Sequence, residues 1–188
     1  MNITQMSFTL SIITCTFLGT LINTIAPRFT DAQLCCGRGF RIGNFGIDMF
    51  IHDSWGHWFG NLLGIIPCCL IIPKLCQETN VPFAIIIMMM FLNNFVADVI
   101  CIIKNKTQCG FSGINYMFIE IILIWYSILL SGNKKFLSAI CAICAVIDFL
   151  WTVLHKEERR NIGHLVGTLL GVTFGVALGL ITKFGFNI

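Results

Sequence analysis

Residues 109–116 read CGFSGINY, and the serine among those glycines stands where a short basic loop, KNKTQ, gives way to an apolar run ending near Leu130. Ser112 is there either to pack or to react. A serine hydroxyl is a weak nucleophile until a neighbouring base takes its proton, and imidazole has suitable basicity near neutral pH. Histidines stand in HDSWGHWFGN (His52, His57) and in NIGHLVGTLLG (His164), the first stretch ending in Asn61. Any one of these residues alone reads as packing or as a satisfied polar group. Whether they can work together depends on the elements that carry them.

Those elements are membrane spans. Of the 188 residues, 56% are hydrophobic and 11% charged, against about 25% charged in a soluble domain. A bilayer core needs about 20 apolar residues per helix. Six segments supply them: residues 6–25, 54–72, 81–103, 112–130, 136–154 and 162–183. The runs are continuous and too long for barrel strands, so the fold class is all-α, a six-helix polytopic membrane bundle. The second segment is expected to close at Pro73. The first lacks a basic leading region and an A-x-A-type cleavage site, and reads as a retained helix rather than a signal. One domain over 1–188 is expected. Its long connection, residues 26–53, carries three arginines, three aspartates and a glycine-rich patch, a length usual for functional loops.

Six spans fix a parity: the second, fourth and sixth all begin on one side of the membrane. His57, Asn61, Ser112 and His164 then lie at similar depth, one to two turns below one surface at about 1.5 Å per residue. Spacing adds to this. His57 and Asn61 are i, i+4, as are Ser112 and Tyr116, so each pair shares a helix face. His164, Gly167 and Gly171 fall on one side of the sixth span, and glycine continues at 175 and 179. Such a stripe of small residues lets a neighbouring backbone approach closely.

The cysteines add little chemistry. Cys15, Cys68, Cys69, Cys101, Cys141 and Cys144 fall within or at the ends of spans, where cysteine behaves as a small hydrophobe. The C-x-x-C at 141–144 has no second pair beside it to suggest a metal. Cys35, Cys36 and Cys109 lie in loops on one side by parity. A bridge from Cys109 to one of the pair requires an oxidising face and Cα atoms within about 7 Å.

These motifs resemble the rhomboid intramembrane serine proteases over the whole six-helix core. Gly110-Phe111-Ser112-Gly113 is similar to the family's Gly-x-Ser-Gly at the head of helix four. His164-Leu165-Val166-Gly167 with Gly171 resembles its His-x-x-Gly-x-x-x-Gly. His52, His57 and Asn61 match its helix-two pattern, and Tyr116 its tyrosine one turn below the serine. The resemblance implies a Ser112–His164 dyad without an acid, and an oxyanion site made by the Ser112 backbone amide, His57 and Asn61. Tyr116 would pack against the His164 ring, Gly113 would admit the substrate backbone, and Gly110, Gly167 and Gly171 would support the site. It implies single-span transmembrane proteins as substrates within the lipid bilayer, cut near small or helix-breaking residues, and no nucleic acid, metal or cofactor. His52 reads as a structural hydrogen-bonder.

Some features depart from that pattern. Glu120 stands two turns below Ser112, where the family more often has a small residue. Asp98 and Asp148 also fall within spans, where a charge costs about 2.5–3.5 kcal/mol on insertion scales, so these acids are expected to be paired, neutral or facing water. Phe40-Arg41 stands where many relatives carry a tryptophan-arginine pair. The family arrangement puts the site on the outer or lumenal face, with four of the twelve Lys and Arg inside and eight outside, against the positive-inside rule. Two other classes stay open: a catalytically inactive relative that binds transmembrane clients, and a small transporter using Asp98, Glu120 and Asp148. Transporters often show internal repeats, and the halves of this chain show none.

Overall fold

The computed structural model describes residues 3–28, 46–104, 106, 109–131, 134–155 and 161–185. Cys35, Cys36 and the Phe40-Arg41 pair, and with them the proposed bridge to Cys109, lie outside the described residues. The elements are α1 (Ile3–Ile25), a 3₁₀ turn η1 (Asp48–Phe50), α2 (Trp55–Thr79), α3 (Phe83–Ile103), α4 (Ser112–Leu130), α5 (Lys135–Leu154) and α6 (Ile162–Phe184). All six α-helices are long and apolar enough to cross a membrane, and no strand occurs among the described residues.

α2 departs from expectation. It does not close at Pro73 but continues to Thr79, with Pro67 and Pro73 both inside it. Each proline removes one backbone donor, a loss that neighbours can absorb in a spanning helix. Beyond Pro73 the pattern still buries Leu75 and Cys76, so packing carries the helix past the break. The stop comes at Asn80, in the left-handed region at φ 56°. There the Val81 amide reaches back to the Cys76 carbonyl at 3.0 Å, and Pro82 follows.

α4 is the centre of the bundle, packing most extensively on α6 and then on α5 and α2. Its Met117, Phe118, Ile121 and Trp125 are fully buried, among Ile65, Cys69 and Ile72 of α2, Ile86 and Met90 of α3 and Leu178 of α6. Lipid tails are as apolar as leucine, so close packing and interhelical hydrogen bonds must hold such helices together, each bond worth roughly 0.6 kcal/mol. Trp125 Nε1 donates to Thr182 Oγ1 at 3.0 Å, Trp58 Nε1 to Thr16 Oγ1 at 3.1 Å, and Ser138 Oγ to the Ser127 carbonyl at 2.6 Å. α1 is thereby stitched to α2. α5 instead turns Phe136, Ile143, Ile147, Leu150, Trp151 and Leu154 outward, the face that meets lipid.

The glycine stripe of α6 lies along α4. A Cβ on Gly167 would run into the Gly113 carbonyl, and one on Gly171 would come 2.7 Å from the Met117 oxygen and from Glu120 Cβ. Gly175 and Gly179 meet Ile124 and Ile128 in the same way. The two backbones touch along this seam, and no larger side chain fits without separating them.

Candidate functional site

Ser112 is the first residue of α4, so its amide is among those with no acceptor inside the helix. The chain reaches it through Gly110, whose φ of +100° suits glycine and strains other residues. The Gly110 amide donates to the Asp48 carbonyl at 2.9 Å, which ties the head of α4 to the loop before α2. Asp48 is in turn fixed by Asn94 of α3, whose Nδ2 lies 3.0 Å from Asp48 Oδ1 and 2.9 Å from Asp98 Oδ2. Burial pushes Asp48 up to about 6, against the hydrogen bonds from Asp98 and Asn94 that pull it down.

His164 lies in the first turn of α6, capped by Asn161. The Asn161 Oδ1 accepts the His164 amide at 3.3 Å, and Asn161 Nδ2 lies 3.1 Å from His164 Nε2. The imidazole stacks on Tyr116, ring centroids 4.4 Å apart at 25°, and Tyr116 stands one turn below Ser112. Backbones also meet here: a Cβ on Gly113 would come 2.6 Å from the Gly163 carbonyl oxygen. Gly113 follows Ser112 and Gly163 precedes His164, so the two residues flank the same backbone contact. No hydrogen bond joins Ser112 to His164 among the described residues. Bonds of this kind are often long in unliganded sites and tighten with substrate.

α2 supplies the third side. Asn115 of α4 donates through Nδ2 to the Asn61 backbone carbonyl at 3.0 Å and to Asn61 Oδ1 at 3.2 Å. With its carbonyl side held, Asn61 keeps a buried Nδ2 that has no hydrogen-bond partner among the described residues. His57 lies against Gly110, its Cε1 3.2 Å from where a Cβ would stand, and its Nδ1 is 2.7 Å from Asp53 Oδ1. His52 is fully buried. Its Nε2 accepts from the Phe111 amide at 3.5 Å, and its backbone carbonyl accepts from Asn23 Nδ2 of α1 at 2.8 Å. Burial and the neighbouring His57 push His52 down to about 4, outweighing the Phe50 carbonyl and Asp53, so it is neutral at neutral pH.

The structure therefore gathers Ser112, His164, Tyr116, His57, Asn61, Gly110, Gly113 and Gly167 at one end of the bundle, with Gly171 one turn deeper in the seam. Three partners escaped the sequence reading. Asn161 was visible only as an asparagine three residues before a histidine, an N-cap spacing. Asp53 stands four residues before His57. Asn115 carried no signal, since its partner is 54 positions away.

The acids form two separate clusters. Asp98 belongs with Asp48 and Asn94. Glu120, fully buried, lies against Asp148 of α5, in the wall of a cavity of about 330 Å³ between α4, α5 and α6 lined also by Ser127 and Phe149. At about 1.5 Å per residue that places Glu120 two turns deeper than Ser112, away from the gathered set.

Comparison with known proteins adds one finding. Residues 42–181 match the family model of the Rhomboid domain. Comparison with curated proteins finds no match, and comparison with solved structures finds none either.

Proposed function

The chain belongs to the rhomboid family of multi-pass integral membrane proteins, and from that premise we propose that it is an intramembrane serine endopeptidase cutting the transmembrane segments of single-span membrane proteins. The observation that supports this reading is the backbone contact of Gly113 with Gly163 and Gly167, which brings the head of α4, where Ser112 stands, against the first turn of α6, whose His164 ring is stacked on Tyr116.

Ser112 Oγ attacks the carbonyl carbon of the scissile peptide while His164 accepts the hydroxyl proton. The tetrahedral oxyanion forms at the head of α4, where the Ser112 amide, Asn61 Nδ2 and His57 can donate. Asn61 suits this role because its carbonyl side is already engaged by Asn115 and its buried donor has no partner among the described residues. Collapse breaks the C–N bond, and His164 returns the proton to the leaving amine. A water, deprotonated by His164, then hydrolyses the Ser112 ester. A transmembrane helix offers a carbonyl only after local unwinding, which favours substrates with helix-weakening residues near the cut.

A serine-reactive fluorophosphonate probe tests this. Wild-type protein should be labelled at Ser112 and should cleave a model transmembrane substrate in detergent. Ser112→Ala should abolish both, and His164→Ala should abolish cleavage, with the fold retained. An unlabelled, inactive wild type that still captures transmembrane clients would instead show a non-catalytic member of the family.

A further inference from the structure

Glu120 takes no part in the proposed mechanism, and its surroundings suit it to another task. The glycine seam lies against its stem, since a Cβ on Gly171 would come 2.7 Å from Glu120 Cβ. Its carboxyl lies on the other side, against Asp148 of α5. Glu120 is fully buried, and neither of its oxygens meets a hydrogen-bond donor among the described residues. Asp148 is a second carboxyl. One proton shared by the pair can satisfy one oxygen of Glu120 and leaves the other bare. A buried carboxyl oxygen without a donor is costly, and ionisable groups inside a membrane mark functional sites by default.

That carboxyl stands in the wall of the cavity between α4, α5 and α6. The volume of about 330 Å³ falls in the range of roughly 300–1,000 Å³ usual for small-molecule sites. Apart from Glu120 and Ser127 the wall is apolar: Ile124, Ala142, Ala145, Val146, Phe149 and Val172, with no lysine, arginine or histidine. An apolar wall with one or two convergent polar groups is the make-up of a ligand pocket, and it offers ordered water too few partners. Ser127 stands seven residues beyond Glu120, about 10 Å along α4, which sets the length of the apolar stretch. Val146 is 56% exposed on the outer face of α5, so the wall borders lipid and an occupant can enter from the bilayer.

We propose that this cavity binds an aliphatic primary amine drawn from the bilayer, with its nitrogen on Glu120 and its chain along the apolar wall toward Ser127. Charge complementarity selects the class. An ammonium carries three donors and no acceptor, enough for both Glu120 oxygens and for Asp148, and no basic side chain of the wall competes for the acids. An alcohol brings one donor and a hydrocarbon none. At about 30 Å³ per heavy atom, the share of a water molecule in the liquid, the cavity takes a chain of roughly ten atoms. The site lies two turns deeper than Ser112, and nothing in it depends on the protease reading.

The test uses the full chain in lipid nanodiscs, with n-decylamine, n-decanol and n-decane as probes. Decylamine should raise the melting temperature of wild type saturably. Decanol should need a concentration about ten- to a hundredfold higher, the worth of a hydrogen bond to a charged group, and decane should do nothing. A photoreactive diazirine analogue of decylamine should label peptides of the cavity wall, and unlabelled decylamine should compete. Glu120→Gln keeps the side-chain shape and gains a donor toward Asp148, so it should be at least as stable as wild type while losing both the shift and the labelling. Ala142→Phe keeps both acids and fills the space, and should lose them too. Ser112→Ala should bind as wild type does. Equal responses to decylamine and decanol, a shift retained in Glu120→Gln, labelling outside the cavity, or no response of wild type to decylamine would each overturn the proposal. A wild type that binds decylamine but neither cleaves nor reacts at Ser112 would remove the protease reading alone.

Discussion

α4 has two seams at its head, and they are closed by opposite means. Against α6 the seam is closed by missing side chains: Gly113, Gly163, Gly167 and Gly171 let backbones meet. Against α2 and the 46–53 loop it is closed by hydrogen bonds, from the Asn115 side chain to Asn61, from the Phe111 amide to the His52 ring and from the Gly110 amide to the Asp48 backbone carbonyl. The first seam is steric and tolerates no added atom. The second is a set of directional bonds that can be weakened one at a time. Position of the proposed base comes from the first, and orientation of the proposed oxyanion donor Asn61 from the second.

The largest break should come from the glycine seam. Gly167→Leu and Gly171→Leu should each lose detectable cleavage and lower the melting temperature in detergent, since overpacking costs about 1–3 kcal/mol or more and the obstruction is backbone. Gly60 of α2 provides the contrast, because a Cβ there meets nothing within 4 Å. Gly60→Ala should leave stability unchanged or raise it by up to about 1 kcal/mol through helix propensity. A heat-stable, active Gly167→Leu protein would show that the seam is not what sets the base.

The polar seam should fail by degrees. Asn61→Ala should lower kcat by about 10²–10³, the usual consequence of one lost oxyanion donor. Asn115→Ala removes only the group that orients Asn61, and should lower kcat by roughly a tenth of that. Equal losses in the two variants would mean that Asn115 acts on the substrate directly or that α2 has shifted.

The smallest effect concerns pH and stability. Asp48 titrates ordinarily at 3.8 and here at about 6, so the native state holds a proton that the unfolded chain releases, and stability falls as pH rises between those values. His52 moves the other way, from 6.5 to about 4, so the unfolded chain binds the extra proton and stability is lost as pH falls through that window. The two slopes oppose each other. Melting temperature in detergent should therefore rise with pH between about 4 and 6.5 in Asp48→Asn, fall with pH in His52→Gln, and vary least in wild type. Parallel slopes in both variants would refute the opposition.

What could be read from the chain alone was whatever depends on local spacing or on counting. Six apolar runs set the helices, their parity put His57, Asn61, Ser112 and His164 at one end, and the four-residue glycine period of α6 announced a close helix contact. Spacing could not say which helix the glycines meet. Nor could apolar run length place the end of α2, because Leu75 and Cys76 are buried by neighbours distant in sequence and so carry the helix beyond Pro73. The division of the acids was likewise beyond it: Asp98 joins Asp48 through Asn94, with 46 positions between Asn94 and Asp48, and Glu120 joins Asp148. Hydrogen-bond partners between elements follow from how the helices are turned about their axes, and that rotation is settled by the packing of the whole bundle rather than by any one segment. The residue types that could do chemistry were visible in the sequence, whereas their protonation states and the groups that orient them exist only once the helices have met.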